Sequence, residues 1–123
     1  MQAFYDAINE RRMDDALERL TGDVLWHRPP DVPITGTVEG VERVRRMWVA
    51  FTGSLEAFEI EATGFEESPD ALMAVITMRG TAPEGRGDFE FGGCQVFRFA
   101  DGRIREVREF RSLDQGREAL AAA

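Results

Sequence analysis

Residues 89–110, FEFGGCQVFRFADGRIREVREF, decide how the rest of the chain is read. Asp101-Gly102 separates two runs of alternating polarity. A two-residue type I′ turn needs positive φ at both positions, which Asp-Gly supplies, so the stretch is predicted to be a long β-hairpin. Side chains alternate along a strand, so Phe89, Phe91, Gln95, Phe97 and Phe99 share one face of the first arm, and Cys94 and Val96 take the other. In a regular ladder from that turn, Phe99 faces Ile104, Phe97 faces Glu106 and Gln95 faces Arg108. The aromatic face then continues as Ile104, Glu106, Arg108 and Phe110. Gln95, Glu106 and Arg108 thus share a face with five phenylalanines. Burying an unpaired amide or charge is costly. The three must satisfy one another, or the face must open into a cavity, or a bulge near Gly92-Gly93 must turn the charges to solvent.

Upstream of the hairpin, Phe58, Ile60 and Ala62 alternate with Glu59, Glu61 and Thr63, a half-buried antiparallel pattern. Ser68-Pro69-Asp70 makes a turn, and residues 72–81 form a more apolar, interior strand. Residues 83–87 are a loop. Further upstream, residues 37–51 read as a helix, because Val41, Val44, Trp48 and Phe51 recur at three- and four-residue steps, joined by Met47. Thr37 is its expected cap, Glu39 suits its positive end, and Gly53 stops it. Arg43, Arg45 and Arg46 lie mainly off the apolar stripe. Trp48 and Phe51 are read as core or as pocket lining.

Residues 24–27 are a short strand, followed by a loop whose Pro29, Pro30 and Pro33 suit the rim of a cavity. His27 is the sole histidine. It is read as a general base or hydrogen-bond donor at a cavity mouth, or as a strand residue facing solvent. Residues 2–20 are helical, with a bend over 9–12, a second helix from about Met13 and a stop at Thr21-Gly22-Asp23. Residues 112–123 make a short helix. The order gives an α+β domain: three helices on one face of a curved, mainly antiparallel sheet, a cone lined by the phenylalanines.

At 123 residues the chain is expected to be one domain, spanning 1–123. A net charge of −8 disfavours nucleic acid and anionic membrane as partners. Cys94 is the single cysteine, which rules out an internal disulfide and is read as a packed thiol. One histidine with no Cys or Asp pair beside it argues against a metal site, and no cofactor is indicated. No apolar run is long enough to span a membrane, and no basic-then-apolar leader is visible, so the expectation is a cytoplasmic protein.

The segments Phe4-Tyr5-Asp6-Ala7-Ile8-Asn9, Met13-Asp14-Asp15-Ala16-Leu17, Val24-Leu25-Trp26-His27-Arg28-Pro29, Gly36-Thr37-Val38-Glu39-Gly40-Val41 and Val96-Phe97-Arg98-Phe99-Ala100-Asp101-Gly102-Arg103-Ile104 carry a resemblance. The chain resembles the SnoaL-like branch of the nuclear transport factor 2-like superfamily, which also holds ketosteroid isomerase. The resemblance implies a cone-shaped α+β barrel with an apolar pocket, often dimeric through the outer sheet face. It also implies departures. The aspartate base of ketosteroid isomerase matches Arg28, its oxyanion-hole aspartate matches Gln95, and its oxyanion-hole tyrosine matches Phe4, with Tyr5 adjacent. An arginine cannot accept the substrate proton, whereas Gln95 can still donate to an oxyanion. The acid/base aspartate of SnoaL-type cyclases has no match on the aromatic face, where Glu106 is the nearest substitute. An epoxide-hydrolase-like Asp-Arg-Asp set is not evident.

The expected function is binding of an apolar, oxygenated small molecule, with an isomerase- or cyclase-type reaction. Glu106 and His27 are the candidate catalytic groups. Gln95, Arg108, Tyr5, Trp26, Trp48, Phe51, Phe89, Phe91, Phe97 and Phe110 are the candidate ligand contacts. The alternatives are a non-catalytic ligand-binding domain whose polar trio is structural, or a homodimerisation module using Cys94, Val96 and Val107 on the outer face.

Overall fold

The computed structural model describes residues 1–29 and 36–122. Two helices, α1 (Gln2–Asn9) and α2 (Met13–Leu17), lead into β1 (Leu20–Arg28) and β2 (Gly36–Glu39). Helix α3 (Val41–Gly53) follows, then β3 (Ala57–Ser68), β4 (Ala71–Thr81), a short 3-10 turn at Pro83–Gly85, β5 (Asp88–Ala100), β6 (Arg103–Phe110) and α4 (Leu113–Ala121). The six strands form one open sheet in the order β2-β1-β6-β5-β4-β3. Every pairing is antiparallel except β1 with β6. The α+β class holds, and the sheet curves without closing.

Helices α1, α2 and α3 cover the concave face. Their Phe4, Ile8, Leu17, Val44 and Trp48 pack with Trp26, Ile60, Ile76, Phe97 and Val107 of the strands in one buried cluster. Burial of a side chain of this size stabilises by about 1.5–3 kcal/mol, so this layer holds the cone together. The polar break after α1 has a specific use. The Asn9 amide donates to the Ile60 carbonyl and accepts from the Ile60 N–H, pinning the helix end to the edge strand β3.

Several boundaries differ from expectation. Thr21-Gly22-Asp23 lies inside β1, because Leu20 and Val24 are already buried against the sheet and the core outweighs the glycine stop signal. Thr37 is not a helix cap. It belongs to β2, paired with His27, and α3 begins only after Gly40, whose φ of 90° favours glycine. The expected proline rim falls partly on residues 30–35, outside the described residues.

The hairpin turn is at Asp101-Gly102 as expected, but its ladder is not regular. Phe99 faces Ile104, and then the register shifts, so that Arg98 faces Glu106, Phe97 faces Val107, Val96 faces Arg108 and Gln95 faces Glu109. The bulge lies at Arg105 in β6, not at Gly92-Gly93, where β4 and β5 pair regularly. A one-residue slip moves every later side chain to the opposite face. Val107 and Glu109 therefore turn inward, and Glu106, Arg108 and Phe110 turn outward. Burying Val107 and one paired carboxylate is less costly than burying Glu106 and Arg108 among phenylalanines.

Helix α4 covers the outer face. Ala71, Met73, Cys94, Val96 and Leu120 form a second, smaller core beneath it. The outer-face interface expected from Cys94, Val96 and Val107 is unavailable to those side chains: the first two lie under α4, and Val107 is in the inner core. Among the described residues no helix is long and apolar enough to cross a membrane.

Candidate functional site

Inside the cone, four elements bring one polar chain together. Tyr5 (α1), Gln95 (β5), Glu109 (β6), Trp26 and Arg28 (β1) meet among aromatic rings. The Tyr5 hydroxyl donates to Gln95 Oε1 at 2.7 Å, and Gln95 Nε2 donates to Glu109 Oε2 at 3.0 Å. This orientation of the amide is forced, since a carboxylate accepts only. Trp26 Nε1 donates to Glu109 Oε1 at 2.9 Å, and Arg28 Nε lies 3.1 Å from the same oxygen. Gln95 is fully buried, and the Arg28 and Glu109 side chains are 11% and 9% exposed. Burial pushes the Tyr5 phenol well above its ordinary value, reinforced by the negative fields of Glu109 and Cys94.

Aromatic side chains surround the pair. Trp48 meets Phe51 edge-on at 6.2 Å, Phe51 meets Phe58 at 5.2 Å, and Phe89 stacks on Phe91 at 5.7 Å. Phe97 packs edge-on against Phe4 and Tyr5. Two cavities adjoin the Arg28–Glu109 pair, of about 20 Å³ beside Ile76, Met78 and Phe91, and about 10 Å³ beside Met47, Trp48 and Phe51.

Glu106 and His27 form a separate cluster on the outer face. His27 Nε2 lies 2.9 Å from Glu106 Oε2, so that nitrogen carries the proton, and Nδ1 lies 2.9 Å from Thr37 Oγ1. Arg98 and Arg108 each come within 3.7 Å of Glu106. Burial raises the Glu106 carboxyl, but the His27 hydrogen bond and the charges of Arg108, His27 and Arg98 outweigh it, leaving the group below its ordinary value. His27 and Arg108, together with Arg28 and Glu109, line an open groove of about 830 Å³ that runs past Phe110 to Gln115, Glu118 and Ala119 of α4.

The sequence-derived candidates thus divide. Tyr5, Gln95, Trp26, Trp48, Phe51, Phe89, Phe91 and Phe97 gather inside the cone, whereas Glu106, His27, Arg108 and Phe110 lie on the other side of the sheet. The trio of Gln95, Glu106 and Arg108 is not one cluster. Glu109 occupies the inner position instead, and Arg28 joins it. A signal for this exists in the sequence: Ile104 and Val107, three apart, can share a face of a strand only across a bulge. Among the described residues no group of three or more His, Cys, Asp or Glu side chains is placed to hold a metal ion.

A family model described as a SnoaL-like domain matches residues 1–107. The chain belongs to the SnoaL-like domain family. The match stops two residues before Glu109, so the inner carboxylate and α4 lie beyond it. No curated protein matches this SnoaL-like chain. Among solved structures, Bal32a from a soil-derived mobile gene cassette is 23% identical with a TM-score of 0.81, covering 89% of this chain and 83% of its own. TerC co-crystallised with polyporic acid is 18% identical with a TM-score of 0.78, covering 99% and 95%. RV0760c from Mycobacterium tuberculosis, in complex with estradiol-17beta-hemisuccinate, is 17% identical with a TM-score of 0.77, covering 92% and 91%. At these identities the likeness to this SnoaL-like domain is one of fold.

Proposed function

We propose that this SnoaL-like domain binds an apolar, oxygenated small molecule inside the cone, the aromatic side chains parting at the two small cavities to admit it, with Arg28 facing the ligand and Glu109 holding Arg28. The carrying observation is the buried Arg28–Glu109 pair set in an aromatic interior. Desolvating such a pair is expensive, and well-packed apolar residues stabilise a core at least as well. Its presence is therefore better explained by recognition than by stability. Two of the structural neighbours were crystallised with ring compounds, polyporic acid and a steroid hemisuccinate, which supports a ligand of this kind.

Glu109 positions Arg28 and does not abstract a proton in this reading. Its oxygens already accept from Trp26 and Gln95 and face the guanidinium. Arg28 cannot act as a base either. Binding without turnover is thus the interior's function. A second reading is favoured by one observation, the 2.9 Å contact between His27 and Glu106. A carboxylate that holds Nε2–H leaves the lone pair on Nδ1, so His27 serves as a general base once a substrate displaces the Thr37 hydroxyl, which would place isomerase- or cyclase-type chemistry at the α4 groove.

A thermal-shift screen with polyporic acid, estradiol-17β-hemisuccinate and neutral aromatic ketones separates the two readings. A ligand that binds only the folded state raises Tm by mass action. The expected result is a shift in the native protein that Arg28→Met loses and His27→Gln keeps. The reverse pattern transfers the function to the outer cluster. No shift with any compound overturns both.

A further inference from the structure

Two buried nitrogen donors have no hydrogen-bond partner among the described residues, Trp48 Nε1 and Arg28 Nε, and both residues line one cavity of about 10 Å³. Trp48 is 4% exposed. Arg28 Nε is close to Glu109 Oε1, but as an ion pair without hydrogen-bond alignment. Buried donors are nearly always paired in folded proteins, so two at one cavity need an explanation. The other tryptophan supplies the contrast, since Trp26 Nε1 donates to Glu109. The remaining lining is Met47, Phe51, Met78 and Glu109. Met47, Phe51 and Met78 offer neither a carbonyl nor a hydroxyl side chain to Trp48, and the Glu109 oxygens are engaged elsewhere.

We propose that the Trp48 indole N–H and the Arg28 guanidinium are a two-donor seat for one neutral carbonyl oxygen of an apolar ligand. The proposal rests on the interior-binding reading and deepens it by naming the ligand group. Electrostatics selects the neutral acceptor. Arg28 and Glu109 already cancel one another's charge, so a carboxylate brought beside them is a third buried charge with no counter-ion. A hydrocarbon leaves both donors unpaired, and a ketone satisfies both. Trp48 is in this scheme a specificity-determining residue. It separates a ketone from the hydrocarbon of the same shape.

The test uses the full chain, labelled with 15N, and three matched probes: 2-acetonaphthone, 2-ethylnaphthalene and 2-naphthoate. The two tryptophans give two indole N–H signals, one held by Glu109 and one not. The expected result is that 2-acetonaphthone moves the Trp48 signal downfield and leaves that of Trp26 nearly still. It should also bind on the order of tenfold more tightly than 2-ethylnaphthalene, the worth of one or two hydrogen bonds. Trp48→Phe should bind the ketone more weakly and narrow its advantage over the hydrocarbon, with Arg28 left as the one donor. The wild-type comparison stands alone if that variant does not fold. Equal binding of ketone and hydrocarbon with no movement at Trp48 overturns the donor seat and leaves interior binding intact. Tightest binding of 2-naphthoate overturns the choice of a neutral acceptor. A Trp48 indole proton that contacts a bound water and ignores the ketone also overturns the seat. Failure of all three probes to bind overturns the interior reading and the seat with it.

Discussion

At the scale of residues, the interior is governed by how Gln95 is satisfied. An amide with no exposure must find both a donor and an acceptor, and it finds Tyr5 and Glu109. The consequence for Tyr5 is measurable, because it is the only tyrosine in the chain. Its phenol is held neutral well above the ordinary value of about 10, first by burial and then by the Glu109 charge. The unfolded chain ionises at the ordinary value, so this group stabilises the fold below about pH 10 and loses that contribution as pH rises further. In an alkaline titration, tyrosinate absorbance should appear together with the loss of the near-ultraviolet tryptophan signal. A tyrosinate transition near pH 10 in a still-folded protein would contradict the buried Tyr5–Gln95 bond. Tyr5 was legible in the sequence, beside the position matched by Phe4. Its reach to Gln95 was not, because that contact joins residues 90 apart in the chain.

At the scale of elements, two features set the site. The first is the bulge at Arg105, which sends Glu109 inward and Glu106 outward. Turn chemistry at Asp101-Gly102 fixes only the first two pairs of the hairpin; beyond them, the burial of Val107 decides the register. The second is α4, whose Gly116 sits directly over Cys94 Sγ and Met73 Sδ, with no room for a Cβ. The small residue lets the helix lie flat on the sheet and seal the outer core. Gly116→Val should therefore destabilise the protein by about 1–3 kcal/mol through overpacking. It should also open Cys94, now 1% exposed, to a thiol reagent under native conditions. Since Cys94 is the single cysteine, the labelling rate reports on α4 directly. Equal, slow labelling of both proteins would mean that the helix does not depend on this contact.

At the scale of the whole molecule, we propose that the chain behaves as one domain. The inner core draws on α1, α2, α3 and five of the six strands, and β4 and β5 also supply the second core under α4. Two cores sharing the same strands should melt together, so tryptophan fluorescence and far-ultraviolet dichroism are expected to give one coincident transition in urea. Separate transitions would divide α4 from the cone. What the sequence determined by itself was whatever depends on local periodicity and turn chemistry: the α+β class, the hairpin turn, the amphipathic stripe of α3 and the aromatic lining. The Phe97, Phe89 and Phe91 side chains point inward because alternation in β5 is unbroken. The tertiary structure alone decided which polar residues share the cone with them. Glu109 reaches Arg28 and Trp26 only because β6 lies parallel to β1, a pairing of strands about 80 residues apart that no local pattern records. The identity of the buried charge depends on a single inserted residue, and that insertion is favoured by the cost of burying charge summed over the whole core.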